Sequence, residues 1–347
     1  MSVKWRTLVE SALTKAWEQQ RSVLSIALRP ISAFYLALTT IWRWMFRIGL
    51  RGSARLPVRV IVVGNVVAGG AGKTPTVLAI AEHLHRQGFH VGLVSRGYGR
   101  KSKGVQEVFS HSTAGTVGDE PLLLKKKLKL PVFVGSNRVL AGQHLLQKYP
   151  QVNILVCDDG IQHLQLYRDA EVYVFDDRGV GNGLPLPSGP LRSPWPPTYI
   201  AQSGQSANRS VVLHTGTHPA FKGHVAHRHL SPWGIQSNGV SIALKDLQST
   251  NKTLVAIAGI AHPHRFFDML AAIGIQPTQN IALPDHYDFA DWVPPSATEC
   301  TILCTEKDAV KVWTCAPMAI AIPLIQTMDE QFFTDIRLAL ESSPPEA

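Results

Sequence analysis

Residues 60–76 read Val60-Ile-Val-Val-Gly-Asn-Val-Val-Ala-Gly-Gly-Ala-Gly-Lys-Thr-Pro-Thr76, and the rest of the chain is organised around them. Val60 to Val63 is a β-branched run of the kind found in a strand buried on both faces. A glycine-rich turn follows, then Lys73 and Thr74, then an apolar helical pattern. Strand, glycine loop and helix in that order make a phosphate-binding loop. Glycines let the N–H groups of Ala68, Gly69, Gly70, Ala71 and Gly72 converge on phosphate oxygens. The helix start favours an anion through its unpaired N–H groups and dipole. Lys73 is expected on the β- and γ-phosphates of ATP and the Thr74 hydroxyl on Mg2+. Pro75 suits a first helical turn. One feature departs from the common pattern: Val67 stands where the first glycine usually stands.

Working outward, Thr76 to Arg86 carries an apolar band at helical spacing, and His90 to Ser95 reads as the next strand. Arg96-Gly-Tyr-Gly-Arg100 follows at that strand's end, where open parallel sheets bind ligands. Gly118-Asp-Glu-Pro121 opens another helix. Asp119 and Glu120 either cap it or face the active cleft as catalytic carboxylates. Arg138 heads a further apolar helix. Val152 to Val156 is a buried strand ending in Cys157-Asp-Asp-Gly160. A hydrophobic strand ending in an acid supplies the other half of a nucleoside-triphosphatase site, with one carboxylate on Mg2+. Asp158 and Asp159 are adjacent, and extended neighbours point oppositely, so only one is assured of facing the metal. His163 lies near enough in sequence to meet phosphate or orient a carboxylate. The stretch Leu184-Pro-Leu-Pro-Ser-Gly-Pro-Leu-Arg-Ser-Pro194 is too rich in Pro and Gly for a regular element. It reads as an ordered loop offering Arg192 to a phosphate or transition state.

Thr253 to Ala258 restarts an α/β pattern, and Gly259-Ile-Ala-His-Pro263 leads into a helix. Asp285-His286 has the form of an acid–histidine pair, with His286 a candidate base or proton shuttle. A strand over Thr301–Thr305 ends in Glu306-Lys307-Asp308, and Gln331 to Leu340 reads as a terminal helix. His218, His224, His227 and His229 lack a completing cysteine or carboxylate and read as a polar sheet face rather than a zinc site.

The length of 347 residues allows two domains or one large one, and 45% hydrophobic with 17% charged residues describes a folded chain. Four cysteines without close pairing point away from a disulfide framework and towards a reducing compartment. No cleavable leader pattern is read. Net charge is +9, but residues 1–59 hold ten Lys/Arg against two acids, leaving the body nearly neutral. That body argues against a nucleic-acid-dependent ATPase. Within the arm, Ile31 to Trp42 lacks charge, and Trp44, Met45, Phe46, Ile48 and Leu50 extend it past Arg43 and Arg47. The uncharged run falls short of the ~20 residues of a membrane span. An apolar, aromatic and basic helix lying on an anionic membrane surface fits better.

Taken in order, the motifs resemble the tetraacyldisaccharide 4′-kinase family of lipid A biosynthesis. The matching stretches are Gly64 to Pro75, Ser95-Arg-Gly-Tyr-Gly-Arg100, Gly118-Asp-Glu-Pro121 and Asp158-Asp-Gly-Ile-Gln-His163. They continue with Pro187-Ser-Gly-Pro-Leu-Arg192, Gly259-Ile-Ala-His-Pro263, Asp285-His286 and Thr305-Glu-Lys-Asp-Ala-Val-Lys311. The resemblance runs over about residues 30–311, and Val67 is no objection within it. It implies an α/β fold: a P-loop α/β/α core over 60–200, preceded by a basic apolar arm (1–59) and followed by a smaller α/β domain (201–347) completing the cleft. It implies transfer of the ATP γ-phosphate to the 4′-hydroxyl of an acylated disaccharide 1-phosphate. The expected place is the cytoplasmic face of the bacterial inner membrane, with no nucleic acid and no obligate protein partner. Lys73 and Thr74 take the phosphate and Mg2+ roles. Asp119 resembles the family's base, paired with His286. Asp158, Asp159 and His163 match its metal and phosphate cluster, and Arg138 and Arg192 its basic lining. Members often have Glu after that last arginine, where this chain has Ser193, so a metal role there passes to Asp158 and Asp159 or to Glu120. A nucleotide-gated membrane switch is the rival class, and it predicts hydrolysis without a labelled lipid.

Overall fold

The computed structural model describes residues 12–19, 22–197, 209–247, 253–290, 292–295 and 300–342. After a helical stretch at 12–18, helices α1 (Val23–Ala27) and α2 (Arg29–Arg47) lead to strand β1 (Arg59–Gly64), helix α3 (Lys73–Arg86) and strand β2 (Val91–Ser95). Next come β3 (Gln106–Glu107), α4 (Ala114–Val117), α5 (Asp119–Leu128) and β4 (Val132–Val134). Helix α6 (Arg138–Lys148), β5 (Ile154–Asp158), β6 (Ala170–Phe175), β7 (Ser210–His214) and β8 (His224–Val225) follow. The later chain holds β9 (His227–Leu230), β10 (Trp233–Ile235), β11 (Ser241–Ala243), α7 (Leu244–Leu247), β12 (Thr253–Ala258) and α8 (Pro263–Ala272). It closes with β13 (Gln279–Ala282), β14 (Cys300–Thr305), α9 (Glu306–Val312), β15 (Ile320–Ile322), β16 (Leu324–Thr327) and α10 (Glu330–Glu341).

The fold is α/β, in two compact units, neither of them one continuous segment. The first comprises residues 1–96, 137–226 and 328–347, and the second 97–136 and 227–327. In the first unit, parallel strands run β2-β5-β1-β6-β7-β8. The apolar strands explain the arrangement: Val60, Ile61, Val62 and Val63 are all at most 1% exposed, which requires cover on both faces. Burying each such side chain contributes roughly 1.5–3 kcal/mol. Parallel pairing brings the carboxyl ends of β1, β2, β5, β6 and β7 to one edge of the sheet, the edge at which open sheets bind ligands. Helix α10 belongs here, with Asp335 2.9 Å from His224 Nε2 and the Phe333 ring stacked on His83.

The second unit holds a mixed sheet of order β11-β10-β15-β14-β12-β13. Its core lies on both faces, with Ala256, Phe266, Leu270 and Leu303 on one and Ile257, Phe289, Ile302 and Ala309 on the other. Strands β9 and β16 form a separate antiparallel pair, and β3 pairs antiparallel with β4. Residues 97–136 precede α6 in sequence yet pack in this unit, because α5 docks on α9: Lys127 Nζ lies 2.7 Å from Glu306 Oε2. A single cut at residue 200 therefore does not describe the units. Residues 209–226 stay with the first unit because β7 continues the register of β6, Glu171 facing Ser210.

Candidate active site

In the first unit the loop between β1 and α3 begins at Asn65 and ends at Gly72, and Lys73 is the first residue of α3. Lys73 Nζ lies 3.3 Å from Asn65 Oδ1 and 3.6 Å from Asp159 Oδ1. Strand β5 runs beside β1 with Val63 opposite Asp158, so the strand that feeds the loop and the strand that ends in acids are direct neighbours. Asp158 is buried, with Ser95 Oγ at 3.5 Å. Asp159 turns away from it by adopting φ +49, a left-handed conformation at the strand end. The left-handed turn, not the alternation of an extended strand, therefore sets Asp159, and its carboxylate meets cations.

Arg192 Nη2 is 3.0 Å from Asp159 Oδ1 and donates to the Asn65 carbonyl at 2.9 Å and also to its Oδ1. The proline-rich segment is laid along the loop: the Ala68 N–H donates to the Pro190 carbonyl and the Arg192 N–H to the Val66 carbonyl, each at 2.7 Å. Asn137 caps α6 by accepting from the N–H groups of Val139 and Leu140. This cap sets Arg138, whose Nη2 donates to the Asp159 carbonyl at 3.1 Å. The Arg138 N–H faces His163 Nε2 at 3.4 Å. Burial, with Arg138, Arg168 and Arg96 nearby, pushes the His163 imidazole down to about 4, so it is a neutral acceptor at physiological pH. Burial alone would raise the Asp159 carboxyl; Lys73, Arg192 and Arg138 overcome it and hold the group ionised, well below the usual carboxylate range. Lys73, Arg138, Asp159 and Arg192 therefore form one charged cluster with the neutral His163 beside it, and Thr74 lies in the first turn of α3.

The second unit carries a separate constellation. Gly118, at φ +94, leads into α5; a Cβ there would lie 3.1 Å from Gly97 Cα and from the Tyr98 carbonyl, so only glycine lets Asp119 start the helix in this place. Asp119 is 4% exposed. His286 Nδ1 is 2.9 Å from Asp119 Oδ2, and Lys311 Nζ reaches the same oxygen at 3.2 Å. Lys307 Nζ meets His286 Nε2 at 3.3 Å, Asp285 Oδ1 at 3.1 Å and Glu120 Oε1 at 3.3 Å. An ammonium only donates, so Nε2 is placed to accept from Lys307, and Nδ1 is placed to donate to Asp119. Burial opposes ionisation of Asp119, but His286, Lys307 and Lys311 outweigh it and hold the carboxyl far below its ordinary value. Burial likewise works against the Lys307 charge, and Glu120, Asp285 and Asp119 raise it instead. The turn that presents His286 is itself fixed: the His286 N–H donates to the Gly259 carbonyl, and the Gly259 N–H donates to Asp308 Oδ2 at 3.0 Å.

A family model described as tetraacyldisaccharide-1-P 4′-kinase matches residues 24–340. The chain belongs to the tetraacyldisaccharide 4′-kinase family. It is 48% identical over 335 residues to the tetraacyldisaccharide 4′-kinase of Acidovorax sp. (strain JS42), covering 95% of each chain. It is 45% identical over 325 residues to that of Polaromonas sp. (strain JS666 / ATCC BAA-500), covering 92% of each. Among solved structures, the LpxK of Aquifex aeolicus, crystallised in complex with ATP, aligns with a TM-score of 0.75 at 25% identity, over 93% of this chain and 100% of that one.

The family motifs divide between the two units: residues 64–75, 158–163 and 187–192 build the first cluster, and 118–121, 259–263, 285–286 and 305–311 build the second. Sequence reasoning gave no separate role to Lys307 or Lys311. The signal was their spacing of four on a short helix, which puts both ammonium groups on one face. The four cysteines are free, and burial pushes the Cys157 thiol up to about 11. Among the described residues, no cluster of three or more His, Cys, Asp or Glu side chains forms a metal cage.

Helix α2 has two faces. Ile31, Phe34, Leu38, Ile41 and Trp44, with Ile48 just past the helix end, recur at three- and four-residue spacing and are all exposed, with Phe34 at 66% and Trp44 at 54%. The other face is anchored. Ser32 Oγ donates to the Pro185 carbonyl and accepts from the Ser188 N–H, and Tyr35 Oη donates to the Arg192 carbonyl at 2.8 Å. Among the described residues, no helix is long and apolar enough to cross a membrane.

Proposed function

We infer that this protein transfers the γ-phosphoryl of ATP to the 4′-hydroxyl of a tetraacyldisaccharide 1-phosphate, the step its family is named for. The observation that carries the reading is a family match along nearly the whole chain. The two charged clusters support it. In the first unit, a P-loop core would seat the triphosphate on the N–H groups of residues 69–72 and on Lys73. Lys73, Arg138 and Arg192 would stabilise charge on the transferring phosphoryl.

The residues present suit Mg2+. That ion keeps several waters and takes one or two carboxylates plus phosphate oxygens, so it needs no all-protein cage. Asp158, at the end of the strand beside the loop, and the Thr74 hydroxyl would hold it, with Asp159 next in line. Glu120 is paired with Lys307 and is the less suitable donor. When bound, the ion neutralises charge on the β- and γ-oxygens.

In the second unit, a smaller α/β domain, Asp119 would orient the acceptor hydroxyl and accept its proton. Its low basicity is compatible with phosphoryl transfer, whose loose transition state asks for orientation more than for a strong base. His286 and Lys311 keep the carboxylate ionised and aimed.

The exposed stripe of α2 would lie on the lipid surface of the inner membrane, at its cytoplasmic face, while the acyl chains of the acceptor remain in lipid. The arginines of the arm favour an anionic leaflet. Purified protein with γ-labelled ATP, Mg2+ and tetraacyldisaccharide 1-phosphate in detergent tests the reading. A labelled disaccharide bisphosphate is expected; ATP hydrolysis without labelled lipid would replace the kinase by a nucleotide switch.

A further inference from the structure

The carbonyls of the glycine loop are occupied one after another. The Ala68 carbonyl accepts from Arg178 Nη1 at 3.4 Å and the Gly69 carbonyl from Asn65 Nδ2 at 3.1 Å. The Gly70 carbonyl accepts from Arg178 Nη2 at 3.3 Å and the Ala71 carbonyl from Thr215 Oγ1 at 2.8 Å. Four successive peptide planes are thus held by three side chains. In a planar trans peptide, the carbonyl of one residue and the N–H of the next point in opposite directions. Fixing each of the carbonyls 68 to 71 therefore fixes the direction of the N–H that follows it, those of residues 69 to 72.

Each holding group is held in turn. Asp176, at the end of β6 and 3% exposed, meets Arg178 Nε and Nη2 at 3.0 Å and accepts the Arg178 N–H at 3.1 Å. Thr215 is 5% exposed. Its N–H donates to the Phe175 carbonyl at 2.7 Å, and its hydroxyl stands 3.1 Å from that carbonyl and nearer, at 2.8 Å, to that of Ala71. Gly69 is fitted to the same arginine: its φ is +96, and a Cβ would lie 3.2 Å from Arg178 Nη1.

We propose that Arg178 and Thr215 are positioning residues for ATP binding, and that Asp176 aims the arginine. They act on the nucleotide through the loop backbone, aligning the N–H groups of residues 69–72 before the phosphates arrive. Donors set in advance need no reorganisation on binding, so the effect falls on ATP affinity. The proposal rests on residues 68–74 being the phosphate seat.

Steady-state kinetics on the full chain with Mg–ATP and the acylated acceptor test it, using Arg178→Met, Arg178→Lys, Thr215→Val and Thr215→Ser. Arg178→Met is expected to raise KM for ATP roughly ten-fold, and Thr215→Val by about three- to five-fold, since each removes tethers worth a modest free energy. KM for the acceptor stays at the wild-type value. Thr215→Ser restores ATP affinity because it keeps the hydroxyl. Arg178→Lys does not, because an ammonium lacks the planar fork that spans two carbonyls. Titration of each variant with Mg–ATP, alongside its thermal melt, separates affinity from folding. Wild-type ATP affinity in folded Arg178→Met and Thr215→Val overturns the proposal, as does a fall in kcat with KM unchanged. A Lys73→Ala control separates the two readings: if it binds Mg–ATP normally, the phosphate seat itself is wrong.

Discussion

Lys311 Nζ lies 3.2 Å from Asp119 Oδ2, the same oxygen that His286 Nδ1 meets at 2.9 Å. One buried carboxylate oxygen is thus shared by a lysine Nζ and an imidazole. The Asp119 charge is present above its depressed value and is lost only as pH falls through it. Wild-type kcat/KM therefore shows no acid limb from Asp119 above about pH 5, the upper edge of the usual carboxylate range. Lys311→Met removes one stabilising cation and raises the Asp119 value, so its acid limb moves up in pH. A pH–rate profile of the two enzymes checks this; superimposable acid limbs would dissociate Lys311 from the carboxylate.

Asp119→Ala removes the proposed proton acceptor and is expected to lower lipid labelling by roughly 10²- to 10⁴-fold. His286→Ala leaves the carboxylate beside Lys311 and costs less, about ten-fold. Near-normal turnover in both variants would sink the pair as a functional unit.

Asp159 ties Lys73 and Arg192 together, at 3.6 and 3.0 Å. Arg192→Met is expected to lower kcat by roughly 10²-fold, the scale for loss of one preorganised donor to a transition state. Lys73→Ala is expected to abolish labelling. Single-turnover measurements at saturating ATP read the chemical step apart from binding; an Arg192→Met enzyme with wild-type single-turnover rate contradicts the assignment.

His163 is neutral in the fold, its value lowered from 6.5 to about 4 by burial first and neighbouring arginines second. Between those two pH values the unfolded chain binds the proton and the folded one does not. Stability attributable to this residue is complete above pH 6.5 and declines as pH falls to about 4. His163→Gln should flatten that part of the Tm–pH curve, as differential scanning calorimetry would register. An unchanged slope would mean that His163 is readily protonated in the folded protein.

Phe34 and Trp44 stand on the exposed side of α2. Phe34→Glu and Trp44→Glu should each weaken binding to anionic vesicles by about ten-fold or more, because each loses buried apolar area and adds a like charge to the lipid surface. Wild-type binding should also weaken as salt rises. Co-sedimentation with anionic and with zwitterionic vesicles measures both; equal recovery of wild type and variants would place the lipid contact elsewhere.

Local information carried much of the fold and part of the site. Val60 to Val63 announced a buried strand, the glycine run and Lys73 announced a loop for phosphate, and Val152 to Asp158 announced a strand ending in acid, because each signal lies within a few residues of chain. The α2 helix is read from an uncharged apolar run flanked by arginines; that its exposed residues line up in one stripe comes from the structure. Asp158 and Asp159 were both named, but the left-handed turn at Asp159 that separates them left no mark in the residue types.

Residue types and their spacing carry the kind of chemistry, the family and the short elements of the fold. Which distant residues share an atom emerges only once the chain is folded. Asp119 meets Lys311 across 192 positions, and Thr215 reaches the Ala71 carbonyl across 144. The assignment of residues 97–136 to the second unit is of the same kind. Periodicity and turn chemistry report on neighbours along the chain, whereas such pairings follow from strand register and helix docking, which are set by the packing of the whole sheet.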